Sequence, residues 1–174
     1  MEFDYVIVGG GSAGSTLAGR LSADPSTRVC LIEAGPPDDN FLCHMPFATA
    51  LFIPGKWRNW AFETEPQSGL DGRRGYQPRG RMLGGSSGLN AMIYIRGHAS
   101  DYDDWAAQGA RGWSFADVLP YFKRAEGNER LGGTLHGSAG PLNVADQVTP
   151  NPFNQVFLAA CDQLQLARND DFNG

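Results

Sequence analysis

The chain is 174 residues long, with 14 Lys and Arg against 19 Asp and Glu, a net charge of −5, and 41% hydrophobic residues. That length suits about one domain, the composition is that of a folded globular protein, and no basic run exists to track a nucleic-acid backbone. No stretch approaches the roughly 18 apolar residues of a membrane span, so no transmembrane segment is expected.

The first apolar run begins at Tyr5, which leaves no room for a leader peptide, and a cytoplasmic protein is expected. Cys30, Cys43 and Cys161 make neither a paired framework nor a C-x-x-C, and His44, His98 and His136 share no ligand spacing. Neither disulfides nor a metal site are therefore expected.

Tyr5 to Val8 is apolar without alternation, the pattern of a parallel-sheet strand buried on both faces. It runs into Gly9-Gly10-Gly11-Ser12-Ala13-Gly14, which fits G-x-G-x-x-G with Gly9, Gly11 and Gly14 in the fixed places. The first glycine permits the tight turn, the second lets backbone approach a pyrophosphate, and the third lets the next helix pack on the strand. That helix, predicted over 12–23, offers unpaired N–H groups and a positive dipole end to phosphates. A second apolar run, Val29 to Ile32, ends in Glu33, at about the 20-residue spacing where a carboxylate holds a ribose hydroxyl pair. A carboxylate rather than an arginine there favours FAD or NAD over NADP, without choosing between the two.

Pro36 to Asn40 reads as a turn-rich loop, Met45 to Phe52 as one or two helical turns, and Asn59 to Glu65 as a strand. Gly80 to Gly97 is the second informative stretch. Its paired glycines and serines make a backbone-rich surface open to a ligand, after which Ala91 to Ile95 is expected to return to a core. Asp101 to Gln108 reads as a helix start with acids in its first turn. Ser114 with Asp117 is a capping-box variant, and Pro120 predicts a kink or two short helices. Pro141 to Val144 reads as a short strand, and Phe153 to Leu164 has an apolar spacing that should face a core.

Together these residues resemble the glucose–methanol–choline (GMC) oxidoreductases, flavoproteins that oxidise alcohols, and in particular the bacterial choline dehydrogenase-like and alcohol dehydrogenase branch. The likeness lies in Gly9, Gly11, Gly14 and Glu33, and in a signature from Gly80 through Gly84-Gly85-Ser86-Ser87 and Asn90 to Tyr94, Gly97 and Asp103. It continues in 101–105, Gly112-Trp113-Ser114, 119–122, His136-Gly137 and 171–174. The resemblance implies the fold class: α/β, with a Rossmann-like FAD-binding domain whose sheet is incomplete here, over 1–150. The beginning of a substrate-binding α+β domain would occupy 151–174.

The resemblance also implies the site. FAD would lie extended, its adenosine near Glu33 and Ala34 and its pyrophosphate over Gly9, Gly11, Ser12, Ala13 and Gly14. Gly80, Gly84 and Gly85 belong to the flavin-facing turn, and the ring would rest on the backbone of Asn90, Ala91, Met92 and Ile93. Trp60 would pack near the flavin, or else serve as an ordinary core tryptophan. His136 is expected to be structural, and His44 and His98 non-catalytic. Leu89 stands where some relatives carry a histidine bonded to the flavin, so FAD is expected to be held non-covalently.

Relatives in this family run to several hundred residues, and the histidine that takes the alcohol proton lies near their end, so no catalytic residue is assigned here. The implied activity is oxidation of an alcohol CH–OH group to a carbonyl by hydride transfer to flavin N5. A non-redox lyase on the same fold, or a cofactor-binding module inactive by itself, are the alternatives. Too few strand candidates follow Glu33 to complete the sheet. The chain is therefore expected to be one piece of a split, nicked or truncated enzyme, docked on a second polypeptide, with a surface loop after Gly174.

Overall fold

Tyr5–Val8 forms strand β1, Ser12–Leu21 helix α1 and Val29–Ile32 strand β2 in the computed structural model of residues 1–174. The residues gather into two units, Met1–Ile93 and Tyr94–Gly174.

In the first unit β1 and β2 pair in parallel, Tyr5 opposite Val29 and Val8 opposite Ile32. Helix α1 is the crossover that parallel strands require. Burial on both faces was expected of these strands, but they form a two-stranded sheet by themselves and Val8 is 82% exposed. Their composition suits a buried parallel strand, yet with α1 packed on them Tyr5, Val6, Val8 and Ile32 still stay exposed.

Phe41–His44 and Pro46–Ala48 are 3₁₀ turns, and Thr49–Phe52 is one α-helical turn, α2. They bring Ala48 and Phe52 onto Met82 and Leu89, the apolar core of this unit, and Phe52 stacks on Trp57 at 4.8 Å. The strand expected over 59–65 shortens to β3, Phe62–Glu63, paired antiparallel with β4, Tyr76–Gln77. Ala61, at φ +50°, leaves the extended region and breaks the run. The return of 91–95 to a core also fails. Met92 takes φ +58° and Ile93 is 77% exposed, so this stretch is irregular and uncovered.

The second unit holds α3 (Ala99–Ala107), α4 (Phe115–Ala125), β5 (Glu126–Asn128), β6 (Leu142–Val144) and α5 (Phe153–Gln163). Both α3 and α4 open on reciprocal caps. His98 pairs with Asp101, while Ser114 Oγ accepts from Asp117 N at 3.3 Å and Asp117 Oδ2 from Ser114 N at 3.2 Å. Of the kink or two short helices expected at Pro120, the two helices do not form: α4 is one continuous helix through Pro120. Proline removes only the bond toward the Ala116 carbonyl, and the cap and the basic last turn hold both ends. Tyr102 packs edge-on against Trp105 and Phe122 at 5.4 and 5.5 Å, joining the two helices. Strands β5 and β6 pair in parallel. The core-facing stripe expected on α5 is exposed instead, with Phe153 at 76% and Phe157 at 69%. No helix is long and apolar enough to cross a membrane.

Candidate functional site

The bend between β1 and α1 is built by three glycines with three separate tasks. Gly9 sits at φ +99°, a conformation L side chains avoid, and donates to the Ile32 carbonyl at 2.7 Å. A Cβ on Gly14 would lie 1.9 Å from the Gly9 carbonyl oxygen, so only glycine lets α1 pack against the turn. Gly11 is different: a Cβ there meets nothing closer than the Gly85 Cα at 3.9 Å. Packing does not require glycine at that place, and the backbone of Gly11 stays open to close approach. No side chain caps α1 at Gly11, so the amides of Ser12 and Ala13 in its first turn keep the donor character of a helix N-terminus.

A second glycine-rich turn locks onto the first. Gly84 N donates to the Gly10 carbonyl at 2.7 Å, and the hydroxyls of Ser12 and Ser87 lie 2.5 Å apart. Gly85, at φ +57°, approaches so closely that a Cβ would lie 2.7 Å from the Gly11 Cα. Gly80 is equally constrained, its Cβ position lying 2.1 Å from the Gly85 oxygen. Glu33, at the tip of β2, closes the arrangement. Its Oε2 accepts from Gly10 N at 2.6 Å and its Oε1 from Gly35 N at 2.8 Å. A carboxylate has about four lone-pair sites, so both oxygens retain capacity for ligand hydroxyls.

These pieces surround a cavity of about 410 Å³ that brings together Gly9, Gly11, Glu33, Ala34, Trp60, Gly80 and Gly85. Its chemistry, amides at a helix start beside a carboxylate, suits a pyrophosphate and a ribose. Ser12, Ala13 and Gly14 flank it at the start of α1, and Gly84 at the second turn. A second cavity, of about 290 Å³, holds Asn90 and Met92 with His44, Thr49 and Ser87. Thr49 Oγ1 donates to the Asn90 carbonyl at 3.0 Å, and Met92 N to Asn90 Oδ1 at 2.8 Å. Ala91 and Ile93 border neither cavity. Trp60 therefore shares its cavity with Glu33 and not with Asn90. Ser87 could have been read from the serine pair, whereas His44 and Thr49 lie in a stretch with no motif.

In the second unit His136 is buried and faces two carboxylates, Nδ1 to Glu126 Oε1 at 3.0 Å and Nε2 to Asp171 Oδ2 at 2.9 Å. Two ionised acceptors are both satisfied only when both ring nitrogens donate, so the pair favours the imidazolium form of His136. Burial alone would lower its pKa, but the bonds to Glu126 and Asp171 outweigh burial and hold it above the ordinary value. For Glu126 burial pushes upward, and bonds from Asn128, His136 and the Gly137 amide, with the charge of Arg96, bring it below the usual range. Arg96 Nη2 reaches Glu126 Oε2 at 2.5 Å. The network closes on itself around His136, whose two ring nitrogens are both engaged.

The sequence matches the GMC oxidoreductase family over residues 3–174. It is 49% identical over 173 residues to alcohol dehydrogenase [acceptor] of Pseudomonas putida, covering 99% of this chain and 31% of that protein. It is 48% identical over 180 residues to mitochondrial choline dehydrogenase of Homo sapiens, covering 99% of this chain and 30% of that one. Among solved structures, pyridoxine 4-oxidase from Mesorbium loti superposes with a TM-score of 0.86 at 42% identity, over 99% of this chain and 34% of the other. The chain thus spans about a third of the length of the proteins it matches. It belongs to the GMC oxidoreductases, as the N-terminal, FAD-binding portion of that family.

Proposed function

We propose that these residues hold FAD, non-covalently, in an enzyme that oxidises the CH–OH group of a small alcohol to a carbonyl. What carries the reading is the interlock of the 9–14 and 80–88 turns around one cavity that also contains the Glu33 carboxylate. A flavin supplies the two-electron acceptor this chemistry needs.

In this reading the amides of Gly11, Ser12, Ala13 and Gly14 neutralise a pyrophosphate, and Glu33 with Ala34 orients the adenosine ribose. Gly80, Gly84 and Gly85 let ligand and backbone approach closely. The backbone of Asn90, Ala91, Met92 and Ile93, fixed at Asn90 by Thr49, forms the surface for the redox ring. Leu89 is buried in the apolar core, which supports non-covalent retention, since no nucleophilic side chain stands at that position. The alcohol and the base that takes its hydroxyl proton are met by the remaining two-thirds of the family's length. Exposed apolar surface on β1, β2 and α5 supports docking of that remainder, in a second polypeptide or as further sequence. Anaerobic addition of an alcohol to the holoprotein is expected to bleach its flavin absorbance; oxidised flavin unchanged by every primary and secondary alcohol tried would refute the reading.

A further inference from the structure

We propose that Asn59 is a positioning residue: it fixes Trp60 as the aromatic wall for the adenosine half of the cofactor. The inference rests on the function proposed above. Asn59 is 2% exposed and its whole carboxamide is engaged by the chain around Trp60. Its Oδ1 accepts from Ala61 N at 3.0 Å and from Arg79 N at 2.9 Å. Its Nδ2 faces the carbonyls of Phe52, Ile53 and Gly55 and the Tyr76 hydroxyl, the nearest two at 2.9 Å. Trp60 N donates to the Arg79 carbonyl at 2.8 Å, so the peptide is pinned on both sides.

This bonding holds a backbone that would not adopt its shape unaided. Arg58 and Ala61, flanking the pair, take φ of +55° and +50°. Non-glycine residues persist there only when their surroundings over-determine them. The indole is parallel to the Phe62 ring at 5.6 Å and carries the Arg81 guanidinium 5.5 Å from its centre, yet 42% of Trp60 stays exposed. That exposed part borders the cavity of Gly9, Glu33 and Ala34, whereas Asn90 and Met92 border the other one. Since the carboxylate marks the ribose end, the surface that meets the indole is the purine, whose flat face suits an aromatic wall.

The test compares FAD with FMN, which has the flavin ring and a phosphate but no adenosine. Apoprotein of the intact enzyme is titrated with each, as wild type and as Asn59→Ala, Asn59→Asp and Trp60→Leu. Each variant is expected to lose about tenfold in FAD affinity while FMN affinity changes by less than about threefold. If Asn59→Ala does not fold, Asn59→Asp, which keeps both accepted bonds, decides the role of Asn59. Equal losses for the two flavins, or a selective loss in Trp60→Leu without one in a folded Asn59 variant, would overturn the proposal. Wild-type apoprotein that binds neither flavin would overturn the function itself, and this inference with it.

Discussion

The carboxylate of Glu33 accepts the backbone N–H of Gly10 at 2.6 Å, tying the tip of the second strand to the glycine turn after the first. One side chain thereby sets the shape of the turn and, in the function proposed above, also offers oxygen to a sugar. Glu33→Ala leaves the Gly10 and Gly35 amides without their acceptor. Each stranded group costs about 1–3 kcal/mol if it stays buried. A lower melting temperature of the apoprotein is expected together with weaker FAD retention; loss of FAD alone would limit Glu33 to the ligand.

The glycines separate packing from binding. Gly14→Ala would place a Cβ 1.9 Å from the Gly9 oxygen, and Gly85→Ala one 2.7 Å from the Gly11 Cα. Both are expected to destabilise the apoprotein, by about 1–3 kcal/mol or more, because backbone must move. Gly11→Ala meets nothing nearer than 3.9 Å and should melt like wild type while losing FAD affinity. Denaturant melts of the three apoproteins beside FAD titrations distinguish these outcomes.

The His136 network gives stability a definite dependence on pH. The folded pKa of His136 is raised, so its contribution is fully present below the ordinary value of 6.5 and fades as pH rises through the folded value. Glu126 and Asp171 are depressed, so theirs is present above the ordinary 4.5 and 3.8 and fades as pH falls through the folded values. Denaturant melts across pH should therefore show a maximum between these limits. His136→Ala is expected to cost about 3–5 kcal/mol within it, since Glu126 is left buried with one partner fewer. A flat pH profile for wild type and variant alike would contradict the imidazolium.

The cap on α4 is a smaller matter of the same kind. Ser114→Ala removes the acceptor for the Asp117 amide and is expected to cost about 1 kcal/mol, measured by the melting of the holoprotein.

What the sequence made legible was whatever local chemistry determines. The order of strand, glycine turn, helix, strand and acid is written in 5–33, because turn conformation and helix packing there tolerate no other residue at Gly9 and Gly14. The cap at Ser114 was legible for the same reason, whereas the helix read from Asp101 starts at Ala99 and its cap at His98 went unread. Burial was not legible. Val8, Ile93 and Phe153 are apolar, and periodicity cannot say whether their covering partner belongs to the same stretch of chain. Nor could spacing show Asn59 as a bonding centre, since its six partners range from Phe52 to Arg79. The pairing of Trp60 with Glu33 rather than with Asn90 is likewise a matter of tertiary geometry.

Denaturing the purified holoprotein and identifying what it releases tests the central claim most directly. Intact FAD, free in the supernatant in a one-to-one ratio with the polypeptide, is the expected result. A colourless supernatant, a nicotinamide nucleotide, or flavin that stays with the precipitated protein would contradict it.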